Sequence, residues 1–189
     1  LRELSIACRA NNLVLSVDNY VPKNYNAHYN WKEQGVVADY VIIMGYDEHY
    51  GGSQEPGSVA SIGYVEEGIS TMVQSVPSEK VINAVPFYTR IWETVGGEVK
   101  SQAVGMSAVQ NFLSERNIEA VWDETTCQNY GEVQDGDSFY QVWIEDARSL
   151  EVKMNIMKNY NLGGVAAWKL GYEKGHPEVW EVLSGFTNG

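Results

Sequence analysis

Cysteine, histidine and positive charge are all scarce in this sequence. The two cysteines, Cys8 and Cys127, lie far apart and match neither a disulfide framework nor a metal-ligand spacing. The three histidines, His28, His49 and His176, are scattered, which argues against a zinc site. No metal and no cofactor is expected. Only 13 basic residues stand against 25 acidic ones, a net charge of −12, which disfavours nucleic acid and anionic membrane surfaces as partners. No apolar run approaches the roughly 20 residues of a membrane span. No Gly-rich phosphate loop follows a strand: Gly51-Gly52 is a lone pair, without the P-loop Lys or the dinucleotide fingerprint. A Gly-x-Ser-x-Gly elbow is also missing, which argues against a serine hydrolase. The chain shows no signal peptide and begins at Leu1 rather than Met. It reads as a piece cut from a longer protein, so the question of export stays open.

What is present is a globular composition. The chain has 189 residues, 44% hydrophobic and 20% charged, enough for one domain with a sizeable core. Aromatics are plentiful, with 6 Trp and 12 Tyr, side chains that stack on sugar rings and equally fill cores. The stretch that organises the rest is Asp39-Tyr40-Val41-Ile42-Ile43-Met44-Gly45-Tyr46-Asp47. Its short β-branched run fits a strand of a parallel sheet, and Tyr46 and Asp47 follow where such sheets carry their chemistry.

Taken in order, residues 1–11 read as a helix with Leu4, Ala7 and Cys8 on one face. A first strand over 13–17 ends in Asp18, Asn19 and Tyr20. Residues 25–34 are loop and short helix, 40–46 the second strand, and 61–75 a helix with Ile62, Val65, Ile69, Met72 and Val73 at helical spacing. The third strand spans 81–87, followed by Tyr88, Arg90 and Trp92. Residues 93–144 differ in texture, with a helix over 106–116 and antiparallel-type alternation at 120–123 and 138–144. A long helix over 146–160 is capped by Asp146, with Leu150, Met154 and Met157 as its inner stripe and Lys153 and Lys158 outward. The fourth strand is 165–168 and the last helix 178–183. Such alternation predicts a parallel α/β sheet. Four strands are too few for a closed eight-stranded barrel, which usually takes about 250 residues.

On a parallel sheet the four strand ends converge. They bring together Asp18, Asn19 and Tyr20, then Tyr46 and Asp47, then Tyr88, Arg90 and Trp92, then Trp168 and Lys169. Carboxylate, phenols, guanidinium and indole around one cleft suit a polyhydroxylated ring, which stacks its apolar face and hydrogen-bonds through its hydroxyls.

These residues resemble family-18 glycoside hydrolases. Met44-Gly45-Tyr46-Asp47 is similar to the Met-x-Tyr-Asp motif of that family's sixth strand. Val85-Pro86-Phe87-Tyr88-Thr89-Arg90 resembles its seventh, with Thr89 where Gly is usual. Gly164 to Trp168 resembles the eighth, and Glu145-Asp146-Ala147-Arg148-Ser149-Leu150 with Lys153 the opening of the last long helix. Tyr46-Asp47-Glu48-His49, Trp122-Asp123-Glu124 and Val142-Trp143-Ile144-Glu145-Asp146 look most like the bacterial branch acting on spore cortex or cell-wall peptidoglycan, often joined to peptidoglycan-binding repeats. The resemblance runs through essentially the whole chain.

The resemblance implies the C-terminal half, strands five to eight, of a TIM (β/α)8 barrel: half-barrel units at 1–92, a small α+β insertion at 93–144 and the last unit at 145–189. The family's acid-bearing Asp-x-x-Asp-x-Asp-x-Glu motif is absent, so this segment alone is expected to be inactive. The whole protein is expected to cleave β-1,4-linked N-acetylglucosamine polymers, peptidoglycan or chitin, by substrate-assisted retaining hydrolysis. The alternative is a lectin-like barrel of the same family, which holds glycans without cutting them. Tyr46 and Asp47 are implied in catalysis. Met44, Tyr88, Arg90, Trp168, Asp18 and Tyr20 are implied in substrate binding. The family also implies a secreted, cell-envelope or spore location. An unclosed half-barrel would leave strand edges bare, and self-association is expected to cover them.

Overall fold

The computed structural model describes residues 1–187. Four parallel strands form one sheet in chain order: β1 (Ser16–Tyr20), β2 (Tyr40–Met44), β3 (Val81–Pro86) and β9 (Gly164–Trp168). Helices α1 (Arg2–Ala10), α2 (Trp31–Val37), α3 (Ile62–Met72), α5 (Ala147–Asn159) and α6 (Pro177–Thr187) alternate with them. Side chains alternate across a strand, so the sheet has one face towards the helices and one away. Val41, Ile43, Val81 and Val85 point to the helical side and are buried against Ile69, Met72, Leu150 and Met157. Ile42 and Met44, the intervening residues of β2, remain partly open.

Between β3 and α5 the chain builds a second, five-stranded antiparallel sheet. It comprises β4 (Tyr88–Val95), β5 (Glu98–Gly105), β6 (Val121–Asp123), β7 (Gln128–Asp135) and β8 (Ser138–Ile144), with α4 (Met106–Glu115) packed on it. Its spatial order is β5-β4-β8-β7-β6. Two tight turns pin the register. Val95 faces Glu98 across Gly96-Gly97, and Asp135 faces Ser138 across Gly136-Asp137. Gly96, Gly97 and Gly136 take positive φ values of 56°, 87° and 60°, the conformation a two-residue hairpin turn needs.

Several local expectations change. The first strand begins at Ser16, not Leu13, because Ser16 pairs with Tyr40 and the Leu15 N–H donates to the Asp39 carboxylate at 2.7 Å. Leu13 and Val14 stay exposed, and Asp18 and Tyr20 lie within the strand rather than past it. In α1, Leu4 faces solvent, while Ser5 is buried, its hydroxyl donating to the Val37 carbonyl at 2.6 Å. Tyr88, Arg90 and Trp92, expected as the polar end of the third strand, belong instead to β4; Phe87 alone separates the two strands. β5 and β7 were not legible as strands.

The largest change lies in α5. Asp146 does cap it, accepting the Ser149 N–H at 2.9 Å. Lys153, expected outward, is 0% exposed. It shares the stripe of Leu150, Met154 and Met157, and its ammonium donates to both oxygens of Glu145 at 2.9 and 3.1 Å. Burial pushes the Glu145 carboxyl up, against the pull of Lys153 and of the Ser149 hydroxyl. Removing one partner strands the other charge in the core. Lys153→Met is therefore expected to lower unfolding stability by about 3–5 kcal/mol, read as a drop in urea midpoint; an unchanged midpoint would contradict the pairing.

Candidate active site

Gly45 explains how Tyr46 is aimed. A Cβ there would point to the helical side and lie 2.5 Å from Asn83 Oδ1 and 2.9 Å from the Ala84 carbonyl oxygen, so only glycine fits. Alternation then turns Met44 and Tyr46 to the opposite face. The Tyr46 N–H closes a tight turn on the Met44 carbonyl at 2.8 Å, and Asp47 follows in the left-handed region at φ 60°, which Asp tolerates better than most residues.

The second sheet meets this tip through Tyr88. Its hydroxyl donates to Asp47 Oδ1 at 2.5 Å, and its ring lies edge-on to that of Tyr46, with centroids 6.1 Å apart at 74°. Burial first, then the hydrogen bond to Asp47 and its charge, push the Tyr88 phenol up; the Arg90 guanidinium pulls modestly the other way. Burial also raises the Tyr46 phenol, helped by the charges of Asp47 and Asp18. Both phenols therefore remain proton donors at neutral pH. No described residue hydrogen-bonds the Tyr46 hydroxyl, so its proton is free for a ligand.

Register extends the site along the sheet. Tyr20 is opposite Met44, Met44 opposite Ala84, and Ala84 opposite Ala166. These positions, with Asp18 and Trp168 two residues away on their strands, share the face away from the helices. Trp168 and Tyr20 are 54% and 60% exposed, so rings stand free on either flank. The Phe87 N–H donates to the Trp168 carbonyl at 2.7 Å and fixes that end of β9 against the start of the second sheet. Asp18, Tyr20, Met44, Tyr46 and Trp168 thus share one face, and Asp47 and Tyr88 meet at its tip. Arg90 is set apart under the loop at Gly51: its Nη1 donates to the Ser101 hydroxyl at 2.9 Å.

Two contributors were not anticipated. Tyr64, on the first turn of α3, donates to the Tyr46 carbonyl at 3.5 Å, and burial pushes its phenol up. Its sequence signal is its place three residues after the N-cap Ser61, in the first turn, which aims it back along the loop. Glu48 accepts from the Ser61 N–H and hydroxyl at 2.8 and 3.0 Å and ties the loop to the start of α3. Among the described residues no group of three or more His, Cys, Asp or Glu side chains is gathered as a metal site.

The raised phenols make alkaline stability predictable. The folded chain holds the protons of Tyr46, Tyr64 and Tyr88 above the unfolded value of about 10. Their contribution is fully present below that pH and is lost as pH rises through the folded values. Urea midpoints should hold level up to pH 9 and fall steadily beyond about 10; a flat profile to pH 12 would contradict the burial of these groups.

Residues 1–173 match Glycosyl hydrolases family 18. The cortical fragment-lytic enzyme of Bacillus subtilis (strain 168) is 30% identical over 168 residues, covering 87% of this chain and 38% of that protein. Among solved structures, the spore cortex-lytic enzyme SleL of Bacillus cereus superposes with a TM-score of 0.86 at 26% identity, over 97% of this chain and 43% of that one. The chitinase of Chromobacterium violaceum superposes with a TM-score of 0.88 at 25% identity, over all of this chain and 60% of that one. The chain spans well under half the length of that curated relative. The sequence match extends over nearly the whole chain and the fold agrees with that of a chitinase, so the chain belongs to family 18 of the glycosyl hydrolases.

Proposed function

We propose that this chain is the C-terminal half, strands five to eight, of a (β/α)8-barrel glycosidase. The whole protein would cleave β-1,4-linked N-acetylglucosamine polymers with retention. In this reading the antiparallel unit, which begins with β4 at Tyr88 rather than at residue 93, is an inserted α+β subdomain walling the cleft. A catalytic acid outside the chain protonates the glycosidic oxygen. The carbonyl oxygen of the substrate's own 2-acetamido group then attacks the anomeric carbon, the leaving sugar departs as an alcohol, and water opens the resulting oxazolinium.

The observation that carries this reading is the Tyr46 hydroxyl. It is protonated and unbonded, and it sits beside an Asp47 already oriented by Tyr88. Tyr46 donates to the acetamido group and holds it for attack, while Asp47 binds the same sugar and faces the positive charge that develops. Trp168 stacks under the ring and Met44 floors the site beside it. Asp18, Tyr20 and Tyr88 line neighbouring subsites, while Arg90 lies beneath the Gly51 loop, bonded to Ser101. Peptidoglycan of spore cortex or cell wall is the favoured polymer. The relative named as a cortical fragment-lytic enzyme supports it, as it supports a spore or envelope location. The chitinase relative keeps chitin as the second polymer to assay.

In the full-length protein, Tyr46→Phe is expected to reduce kcat on the order of a hundredfold with an unchanged melting temperature; full turnover in that variant rejects the role. The segment 1–189 alone should release no reducing sugar from either polymer. In isolation, β1 and β9 are the outer strands of the parallel sheet, each with one side unpaired by the other strands. Sedimentation should therefore report dimers or larger species of the isolated segment; a monomer at high concentration rejects self-association through those edges.

A further inference from the structure

Tyr46 and Asp47 stand on a long segment between β2 and α3, residues 45–61, that holds neither helix nor strand. Its two legs are zipped together. The Glu48 N–H donates to the Val59 carbonyl at 3.0 Å and the His49 N–H to the Ser58 carbonyl at 3.2 Å. His49 Nδ1 also lies 2.9 Å from that carbonyl oxygen. The far leg is anchored outside the loop. The Trp92 indole N–H donates to the Gly57 carbonyl at 2.9 Å, and the Ile62 N–H to the Thr126 carbonyl at 3.0 Å. Between these points Ser58, 3% exposed, donates its one hydroxyl proton to Gln128 Oε1 and accepts the Ala60 N–H at 3.0 Å.

Gln128 is 0% exposed, and its other end donates to Glu145 Oε1, the carboxylate that also takes Lys153 and Ser149. The run Ser58–Gln128–Glu145–Lys153 is thus closed at every joint, with each carbonyl, amide and carboxylate engaged. A buried polar chain linked in this way is stiff, and its hydrogen bonds have direction. Apolar side chains of the same volume would fill the space without fixing an angle. Ser58 is the residue whose carbonyl receives His49, two positions from Asp47.

We infer that Gln128, backed by the Glu145–Lys153 pair, is a positioning residue for the Tyr46–Asp47 tip. Gln128 sets Ser58. Ser58 sets the near leg through His49, and that leg sets Asp47 against Tyr88 while the Tyr46 hydroxyl is held at a fixed point above the sheet. The kinetic part of this inference rests on the glycosidase reading; the structural part does not.

The test uses the full-length protein carrying Ser58→Ala, Gln128→Met and both together. Amide hydrogen exchange at Glu48 and His49 should accelerate at least on the order of tenfold in each variant. kcat should fall on the order of tenfold and by more than KM rises, because a displaced tip costs most in the transition state, where alignment and developing charge matter. The double variant should match a single one, since both break the same link. Melting temperatures identify any loss due to unfolding alone, and Ser58→Ala, which removes one oxygen, keeps the test open if Gln128→Met fails to fold. Unchanged exchange at Glu48 and His49 overturns the inference, as does faster exchange with kcat intact or two losses that simply add. A wild-type protein without glycosidase activity overturns the glycosidase reading instead, and exchange at those two amides then decides the positioning role by itself.

Discussion

The two-residue period of β2 is the constraint on which the rest depends. Val41 and Ile43 must go down into the helices, so Ile42, Met44 and, past the strand end, Tyr46 must go up. Glycine at 45 is the condition for keeping that alternation through the bend, because its missing Cβ leaves room for Asn83 and the Ala84 carbonyl. A shift of one residue would bury the phenol among Ile69 and Met72 and expose two valine-like side chains in its place. Core formation and site formation are therefore one event on this strand.

The second sheet supplies what a lone strand tip cannot, an outside reference for orientation. Tyr88 reaches Asp47 from β4, Trp92 reaches the loop at Gly57, and Gln128 reaches it at Ser58. The cost is a buried ion pair, Glu145–Lys153, whose desolvation is offset only because Ser149 and Gln128 complete the carboxylate's shell. Polar groups of this kind are poor contributors to net stability but good setters of angle. Here they are spent on the loop that bears the two site residues.

How far the chain could be read beforehand follows from where the information sits. Residues 40–47 and 81–86 were legible because a buried parallel strand is written as a local β-branched run. The 16–20 strand was misplaced by three residues because Leu13 and Val14 are more apolar than Asp18 and Tyr20; only pairing with Tyr40 decides the register. β5 escaped because Glu98, Lys100, Ser101 and Gln102 show no apolar alternation, although Gly96-Gly97 marks its turn. The convergence of Tyr46, Asp47 and Tyr88 was foreseeable from strand ends. Arg90's separate place under Gly51 and the burial of Lys153 were not, since both depend on residues far away in sequence.

Phe87 is the entire connector from one sheet to the other, and Glu145 and Asp146 are the entire return to α5. Two links this short have no slack, and both are hydrogen-bonded, Phe87 to Trp168 and Glu145 to Thr89. The antiparallel unit is therefore held to the parallel one by two short chain links, and Tyr88, Trp92 and Gln128 tie it further to the loop after β2. It cannot swing as a flap. Any gating of the open face has to come from exposed side chains and loop crests such as Tyr50 to Glu55, and evolution could alter what that face admits by editing those crests without retuning a hinge.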